Sequence, residues 1–289
     1  MSHAQLPDHY AESTMLFALS ADGQQEISLR LARFPLTGQA TLWLHVADGK
    51  QGWAMAHEQF TTALQATPVD NETVDFAAQH GDQMVKFVSQ NRHGQQMQGH
   101  LTAQLKAVAS RHPELGDGTV PVRVDLKYNS ASEGYRSFSG RWEMTGSVRG
   151  TVSVDDKVIT FDDPGKWHEQ TGPRAQFAPA FTYFNVQNES VALLAIAFAD
   201  GVAGYGMFDG QFYELQAFEI QDPQAAPRSF KAELYDPEAG AQLSLQGQAR
   251  TVQQWSVPIE GQRRPGASVI VETTRGQMFG SLNDWQPTR

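Results

Sequence analysis

Arg141-Trp142-Glu143-Met144-Thr145-Gly146-Ser147-Val148-Arg149-Gly150-Thr151-Val152-Ser153-Val154 decides the fold. Arg141, Glu143, Thr145, Ser147, Arg149, Thr151 and Ser153 are polar, and every position between them is apolar or glycine. A period of two held over fourteen residues is the repeat of a strand, whose successive side chains point to opposite faces; a helix does not produce it. At roughly 3.3 Å per residue such a strand is about 45 Å long. Gly146 and Gly150 are where it bends, as strand glycines do at barrel corners. Asp155-Asp156 turns it into Val158-Ile159-Thr160-Phe161.

The same alternation extends in both directions. Upstream it runs through 14–19, 26–34, 40–46, 52–58, 74–76, 84–88, 101–105 and 120–128, broken by Asp22-Gly23, Pro35 and Asp48-Gly49. Downstream a continuous apolar run covers 191–199, and strands continue at 204–208, 211–220, 229–235, 241–246, 250–257, 267–273 and 277–280, with a tight hairpin turn expected at Asp209-Gly210. Short alternating runs between Gly, Asp and Pro turns read as antiparallel strands. One helical stretch is expected over 59–65, a polar connector over 110–118 and a loop over 129–137. The fold class is all-β. One barrel of so many strands would leave a wide lumen, so two tandem antiparallel barrels fit better. The seam is expected at Asp162-Asp163-Pro164-Gly165, giving domains 1–163 and 164–289.

Of the 289 residues, 40% are hydrophobic and 19% charged, enough for a packed core. A net charge of -10 argues against a nucleic-acid partner, which needs a basic face. With no cysteine, disulfides, thiolate catalysis and Cys-ligated zinc are excluded. The longest apolar run, 191–199, is short of the roughly 20 residues that span a bilayer. The polar N-terminus has no signal pattern, so no membrane span and a cytoplasmic location are expected. No oligomeric state follows from the sequence.

The chemistry-bearing residues gather in Gly165-Lys166-Trp167-His168-Glu169-Gln170-Thr171-Gly172-Pro173-Arg174. On a strand, Trp167 and Glu169 share one face and His168 takes the other. An indole beside a carboxyl removes water and raises its pKa, which would make Glu169 a proton donor near neutral pH. Pairing with Arg174 or another Arg would instead keep it ionised and merely fix the loop. Arg141 and Glu143 share the polar face of the long strand, either as a solvated ion pair or as pocket lining. Trp142, Phe181, Tyr183 and Tyr205 are core aromatics or the wall of an apolar pocket. The candidate catalytic groups are therefore Glu169, His168 and Glu143. The candidate binding groups are Trp167, Arg174, Arg141, Trp142, Phe181, Tyr183 and Tyr205. His57-Glu58 and His168-Glu169 each pair a histidine with the acid that follows, but no His-x-His or His-Glu-x-x-His spacing occurs, so no metal is expected. Phosphate loops and dinucleotide fingerprints are absent, and no cofactor is expected.

The ordered motifs resemble a known group. Residues 140–152 look like the Glu- and Gly-bearing strand of the AttH-like/carotenoid hydratase (CrtC-like) superfamily. Gly165 to Arg174 resembles its Gly-rich segment, Gly206-Met207-Phe208-Asp209-Gly210-Gln211 its later hairpin, and 271–280 its closing strand pair. The resemblance implies two tandem lipocalin-like β-barrels and a hydrophobic small-molecule pocket at or near their junction. Known members hydrate carotenoid double bonds or catalyse cycloadditions and isomerisations. Here Glu169 stands about where the family's His stands, and Thr171 replaces the Trp that follows it. The hydratases' Tyr-x-Asp proton donor is also missing from Leu194-Ala195-Ile196-Ala197-Phe198-Ala199. The expected function is a cofactor-independent lyase or isomerase of hydratase, dehydratase or cyclase type, acting by acid-base chemistry on a terpenoid, polyketide or aromatic metabolite. The alternatives are a non-catalytic carrier of an apolar ligand and a metal-dependent enzyme using several histidines.

Overall fold

The structure is a computed structural model. It describes residues 8, 10–49, 51–64, 66–67, 72–94, 96–109, 118–131, 133–136, 140–173, 180–259 and 262–285, except for the side chains of 56–58, 255–259 and 262–264. Arg174 and residues 110–117 of the expected connector lie outside them. Every long element is a strand, and no α-helix occurs among the described residues. The first strands are β1 (Tyr10–Leu19), β2 (Gln25–Phe34), β3 (Gln39–Asp48), β4 (Gln51–Thr61), β5 (Val74–His80), β6 (Gln83–Gln90) and β7 (Gln98–Ala109). Next come β8 (Val120–Ser130), β9 (Tyr135–Arg136), β10 (Arg141–Val154), β11 (Lys157–Pro173), β12 (Phe181–Gln187) and β13 (Val191–Phe198). The last are β14 (Gly201–Phe208), β15 (Gln211–Ile220), β16 (Arg228–Tyr235), β17 (Gln242–Ile259), β18 (Gln262–Thr273) and β19 (Gly276–Trp285).

The chain forms two compact units. One comprises Met1–Ser20, Gln25–Gln176 and Val257–Gly261; the other comprises Ala21–Gln24, Phe177–Ser256 and Gln262–Arg289. The first is an antiparallel sheet in the order β11-β1-β2-β3-β4-β5-β6-β7-β8-β10-β9, and β10 also pairs with β11, which joins its two ends. The even positions of β10 face inward: Met144, Val148, Val152 and Val154 pack with Leu16, Leu29, Leu44, Phe87, Leu126 and Trp167 in one core. Each such large side chain taken out of water contributes roughly 1.5–3 kcal/mol. The second unit is a closed barrel of eight strands, β12 to β19 in chain order. Its core holds Phe184, Phe218, Phe230, Leu234, Val269 and Met278. This is the all-β, tandem-barrel architecture expected from the sequence.

Three local expectations have outcomes. The hairpin at Asp209-Gly210 is formed, with φ of 51° and 82° at its two central residues. Both are left-handed, as the tight two-residue turn requires. The helix expected over 59–65 is not formed: β4 stays extended through Thr61. There the Thr61 hydroxyl donates to the Gln79 carbonyl (3.2 Å) and the Thr62 hydroxyl to that of Ala77 (2.8 Å), tying the extended chain to β5. Among the described residues, only Thr61 and Gln79 pair through the backbone at this seam. A cleft of about 300 Å³ opens beside it, lined in part by Thr62, Ala78, Met84 and Lys86. At Asp162-Asp163-Pro164-Gly165, the expected seam, β11 runs through unbroken. The β1–β11 ladder begins at Gly165, so Pro164 falls one residue beyond it, at the kind of edge where a strand tolerates a missing N–H.

Candidate functional site

The alternation of β10 and β11 sorts the chemistry-bearing residues into two sets, both in the first unit. Facing pairs are Trp142 with Glu169, Glu143 with His168, Met144 with Trp167 and Thr145 with Lys166. Trp142, Met144, Trp167 and Glu169 therefore point to the core. Arg141, Glu143, Lys166 and His168 point the other way. His168 and Glu169 lie on opposite faces, and Trp167 shares a face with Glu169, as strand parity dictates.

Glu169 ends in the barrel interior. The Trp167 indole N–H donates to its Oε1 at 3.1 Å. Arg92 Nε donates to Oε2 at 2.5 Å, and His93 Nε2 lies 3.0 Å from the same oxygen. The His93 ring stacks on Trp142, 4.1 Å between centroids and 9° from parallel. Trp167 meets Phe87 edge-on and also touches Tyr128, while a Cβ added at Gly99 would fall 2.4 Å from its ring. Burial pushes the Glu169 carboxyl up, but the hydrogen bond from His93 and the charge of Arg92 outweigh it and hold the pKa at about 2. The expectation from the indole alone, a raised pKa and a proton donor near neutral pH, is thus reversed. Arg92 and His93 sit in the β6–β7 connection, far from Glu169 in sequence, and no local pattern marked them.

The opposite face carries a denser charge cluster. His168 Nδ1 and Glu143 Oε1 are 2.9 Å apart, with both side chains almost fully buried. Lys166 Nζ lies 3.2 Å from Glu143 Oε2, and Arg141 Nε donates to Glu143 Oε1. The register brings Met15 of β1 opposite His168 and Arg30 of β2 opposite Met15. Arg30 donates to the Ser13 hydroxyl at 3.0 Å, and its guanidinium lies 5.2 Å from the Trp43 ring centroid. Burial drives the Glu143 pKa up, but Arg141, Lys166 and His168 together hold it well below the usual carboxylate range. Burial and then Arg141 push His168 down to about 3, against the opposing pull of Glu143. His168 is therefore a neutral imidazole at pH 7. An ionised carboxylate only accepts, so the proton sits on Nδ1 and is donated to Glu143. Nε2 then presents a lone pair, and it has no hydrogen-bond partner among the described residues.

The remaining sequence candidates lie elsewhere. Phe181, Tyr183 and Tyr205 belong to the second unit. They stand on the strand face opposite the one that carries Phe184 and Val186 into the core. Arg174 and the side chains of His57 and Glu58 lie outside the described residues. Among the described residues no three His, Cys, Asp or Glu side chains are placed to hold a metal ion. Lys166 and Arg30 were missed, although parity carries a signal for each. Lys166 is two residues from His168, and Arg30 sits on the polar face of β2 with Glu26 and Ser28.

No protein-family model and no curated protein sequence matches the chain. Solved structures do. CghA crystallised with Sch210972 superposes with a TM-score of 0.59 at 11% identity, over 96% of this chain and 86% of that one. Kievitone hydratase from Nectria haematococca gives 0.59 at 10%, over 96% and 89%. An AttH protein from Nitrosomonas europaea gives 0.52 at 10%, over 95% and 92%. The chain thus shares the fold of these proteins along nearly its whole length. No helix among the described residues is long and apolar enough to cross a membrane.

Proposed function

We propose that the protein is a cofactor-independent lyase or isomerase that moves protons on a hydrophobic small molecule, with His168 as the base and Glu143 as the group that orients it. One observation carries the reading: a buried imidazole whose Nδ1 proton is held by an ionised carboxylate at 2.9 Å, leaving Nε2 unpartnered. A carboxylate in that position fixes the tautomer and stabilises the imidazolium once it forms. Nε2 takes a proton from a carbon beside a substrate carbonyl. The bonding pair moves onto the carbonyl oxygen as an enolate. The charges of Arg141, Lys166 and Arg30 disfavour imidazolium in the resting site, and for the same reason they favour a negative charge on the substrate. Returning the proton to another carbon completes an isomerisation. Giving it to a departing hydroxyl, which leaves as water, completes a dehydration. Two solved structures of this fold support the reading: one is a hydratase, kievitone hydratase, and the other, CghA, was crystallised with Sch210972.

In this reading Glu169 is a positioning group. Its carboxylate ties Trp167 to Arg92 and His93 on the far side of β11, and so fixes the strand from which His168 projects. The test begins with native mass spectrometry of the small molecules that copurify with the protein. Each is then incubated with enzyme in D2O. Wild type should exchange or convert at least one of them, and His168→Gln should lower that rate by roughly 10²–10⁴-fold, the usual contribution of acid-base catalysis. Bound molecules that wild type neither exchanges nor converts would make the protein a carrier.

A further inference from the structure

The β6–β7 connection reaches over one end of the first barrel, where β6 stops at Gln90, β7 starts at Gln98 and β10 starts at Arg141. Its backbone is strained. Asn91, His93 and Gln96 have φ of 52°, 63° and 60°, a region that side chains disfavour, while Gly94 beside them does not use it. The Arg92 N–H donates to the Glu72 carbonyl at 3.0 Å, and the His93 carbonyl accepts from the Gly134 N–H at 2.8 Å. The side-chain latch is Glu169, which receives both Arg92 and His93, and His93 lies flat on Trp142.

The interior behind the latch holds two hydroxyls that the closed form leaves dry. Thr14 faces Glu169 across the β1–β11 ladder, and Ser89 is the last inward residue of β6. Gly99, opposite Ser89, is where the Trp167 ring lies. Thr14 is 1% exposed and Ser89 2%. Neither hydroxyl has a hydrogen-bond partner among the described residues. Such a group regains its hydrogen bonds when water reaches it.

We infer that Asn91 to Gly94 form a strap that lifts off this end of the barrel as one unit while the sheet stays intact, admitting water and small solutes to the wall of Thr14, Ser89 and Trp167. Backbone strain and the two dry hydroxyls favour opening; the latch on Glu169 favours closure. Opening hydrates Arg92 and Glu169 together, so neither charge is left buried alone. Strain of this kind persists only where the surroundings hold it, and it gathers at clamps and switches.

The chain has no cysteine, so a single introduced thiol reports the opening. Iodoacetamide labelling of Ser89→Cys in the full chain is compared with that of Val152→Cys, a core position near the other end of β10. Below the unfolding transition, Ser89→Cys should label at a rate nearly independent of urea, because a local opening exposes little surface, whereas Val152→Cys should speed up steeply. Adding His93→Ala should raise the urea-independent rate of Ser89→Cys by about tenfold, the worth of a hydrogen bond to a charged group. Thr14→Cys takes its place if Ser89→Cys does not fold. In the unmodified protein the amide protons of Arg92 and Gly134 should exchange with the same weak urea dependence. A Ser89→Cys rate that climbs with urea in step with Val152→Cys, or one that His93→Ala leaves unchanged, overturns the proposal. So does exchange of those two amides only through global unfolding. Labelling reads opening alone, so its outcome is independent of turnover at His168.

Discussion

Glu143 and His168 face each other across the β10–β11 ladder and share one hydrogen bond, Nδ1 to Oε1, at 2.9 Å. The same carboxylate also meets Lys166 at 3.2 Å through its other oxygen. One buried anion thus orients an imidazole and offsets buried cations at the same time. Its removal should affect chemistry and stability together.

Glu143→Gln keeps the shape and removes the charge. Taking one partner from a buried ion pair costs about 3–5 kcal/mol. Chemical denaturation should show a loss of that order with an unchanged m-value. Lys166→Met in the same background should recover part of it, because the stranded ammonium is gone. A loss below about 1 kcal/mol would place the cluster in the weak, solvent-screened class.

Acid should weaken the fold in two stages. The His168 pKa is about 3 in the folded protein against an ordinary 6.5. Below pH 6.5 the unfolded chain takes up a proton that the folded site refuses, so stability falls as the pH drops. Glu143 and Glu169 have depressed folded pKa values, well below normal and about 2 respectively. Their contributions are complete above the unfolded carboxylate value and are lost as pH falls through the folded one. Each group adds a slope of up to about 1.4 kcal/mol per pH unit in its window. Denaturation midpoints from pH 7 to pH 3 should decline first gently and then more steeply. His168→Gln should flatten the part between pH 6.5 and 5.

Glu169→Gln should behave as a structural change. Arg92 loses its anion, and His93 loses the acceptor that holds it on Trp142. A fall of roughly 3 kcal/mol in unfolding free energy is expected, with altered tryptophan fluorescence. A variant of unchanged stability whose turnover alone collapses would return Glu169 to the chemistry.

Gly99→Ala probes the wall behind Trp167. The added methyl would sit 2.4 Å from the Trp167 ring, and that ring is itself packed on Phe87 and Tyr128. Overpacking of this kind costs about 1–3 kcal/mol, read as a lowered thermal midpoint. An unchanged midpoint would mean the indole can yield.

The barrels were legible because alternation is a local signal. Fourteen residues of β10 display both faces in their own sequence, and Asp209-Gly210 carries its turn in two residues. Signals that depend on distant partners were misread. Asp162-Asp163-Pro164-Gly165 has the composition of a connection between domains, yet its ladder to β10 keeps it extended. The residues at 59–61 lack strong alternation, and threonine hydroxyls bonded to β5 settle them as strand. The site shows the same division. Parity correctly separated His168 from Glu169, and it grouped Arg141 with Glu143. It could not show that Arg92 and His93 arrive from the β6–β7 connection to reverse the charge preference of Glu169. Electrostatics at a buried carboxyl is set by whichever cation is nearest in space, and strand periodicity does not encode that.

The β4–β5 seam has a kinetic consequence. Elsewhere in the first sheet, β1–β2, β2–β3, β5–β6, β6–β7, β7–β8 and β10–β11 are fastened by long ladders. Among the described residues, one backbone pair, two threonine hydroxyls and a 3.1 Å contact of His80 Nδ1 with the Gln59 carbonyl carry the junction. A hoop breathes at its shortest clasp, because opening there breaks the fewest bonds. Amide protons of Ala77, Ala78 and Gln79 should therefore exchange with solvent well before those of β10 and β11. The charge cluster built on those two strands stays fixed while the opposite wall of the barrel fluctuates.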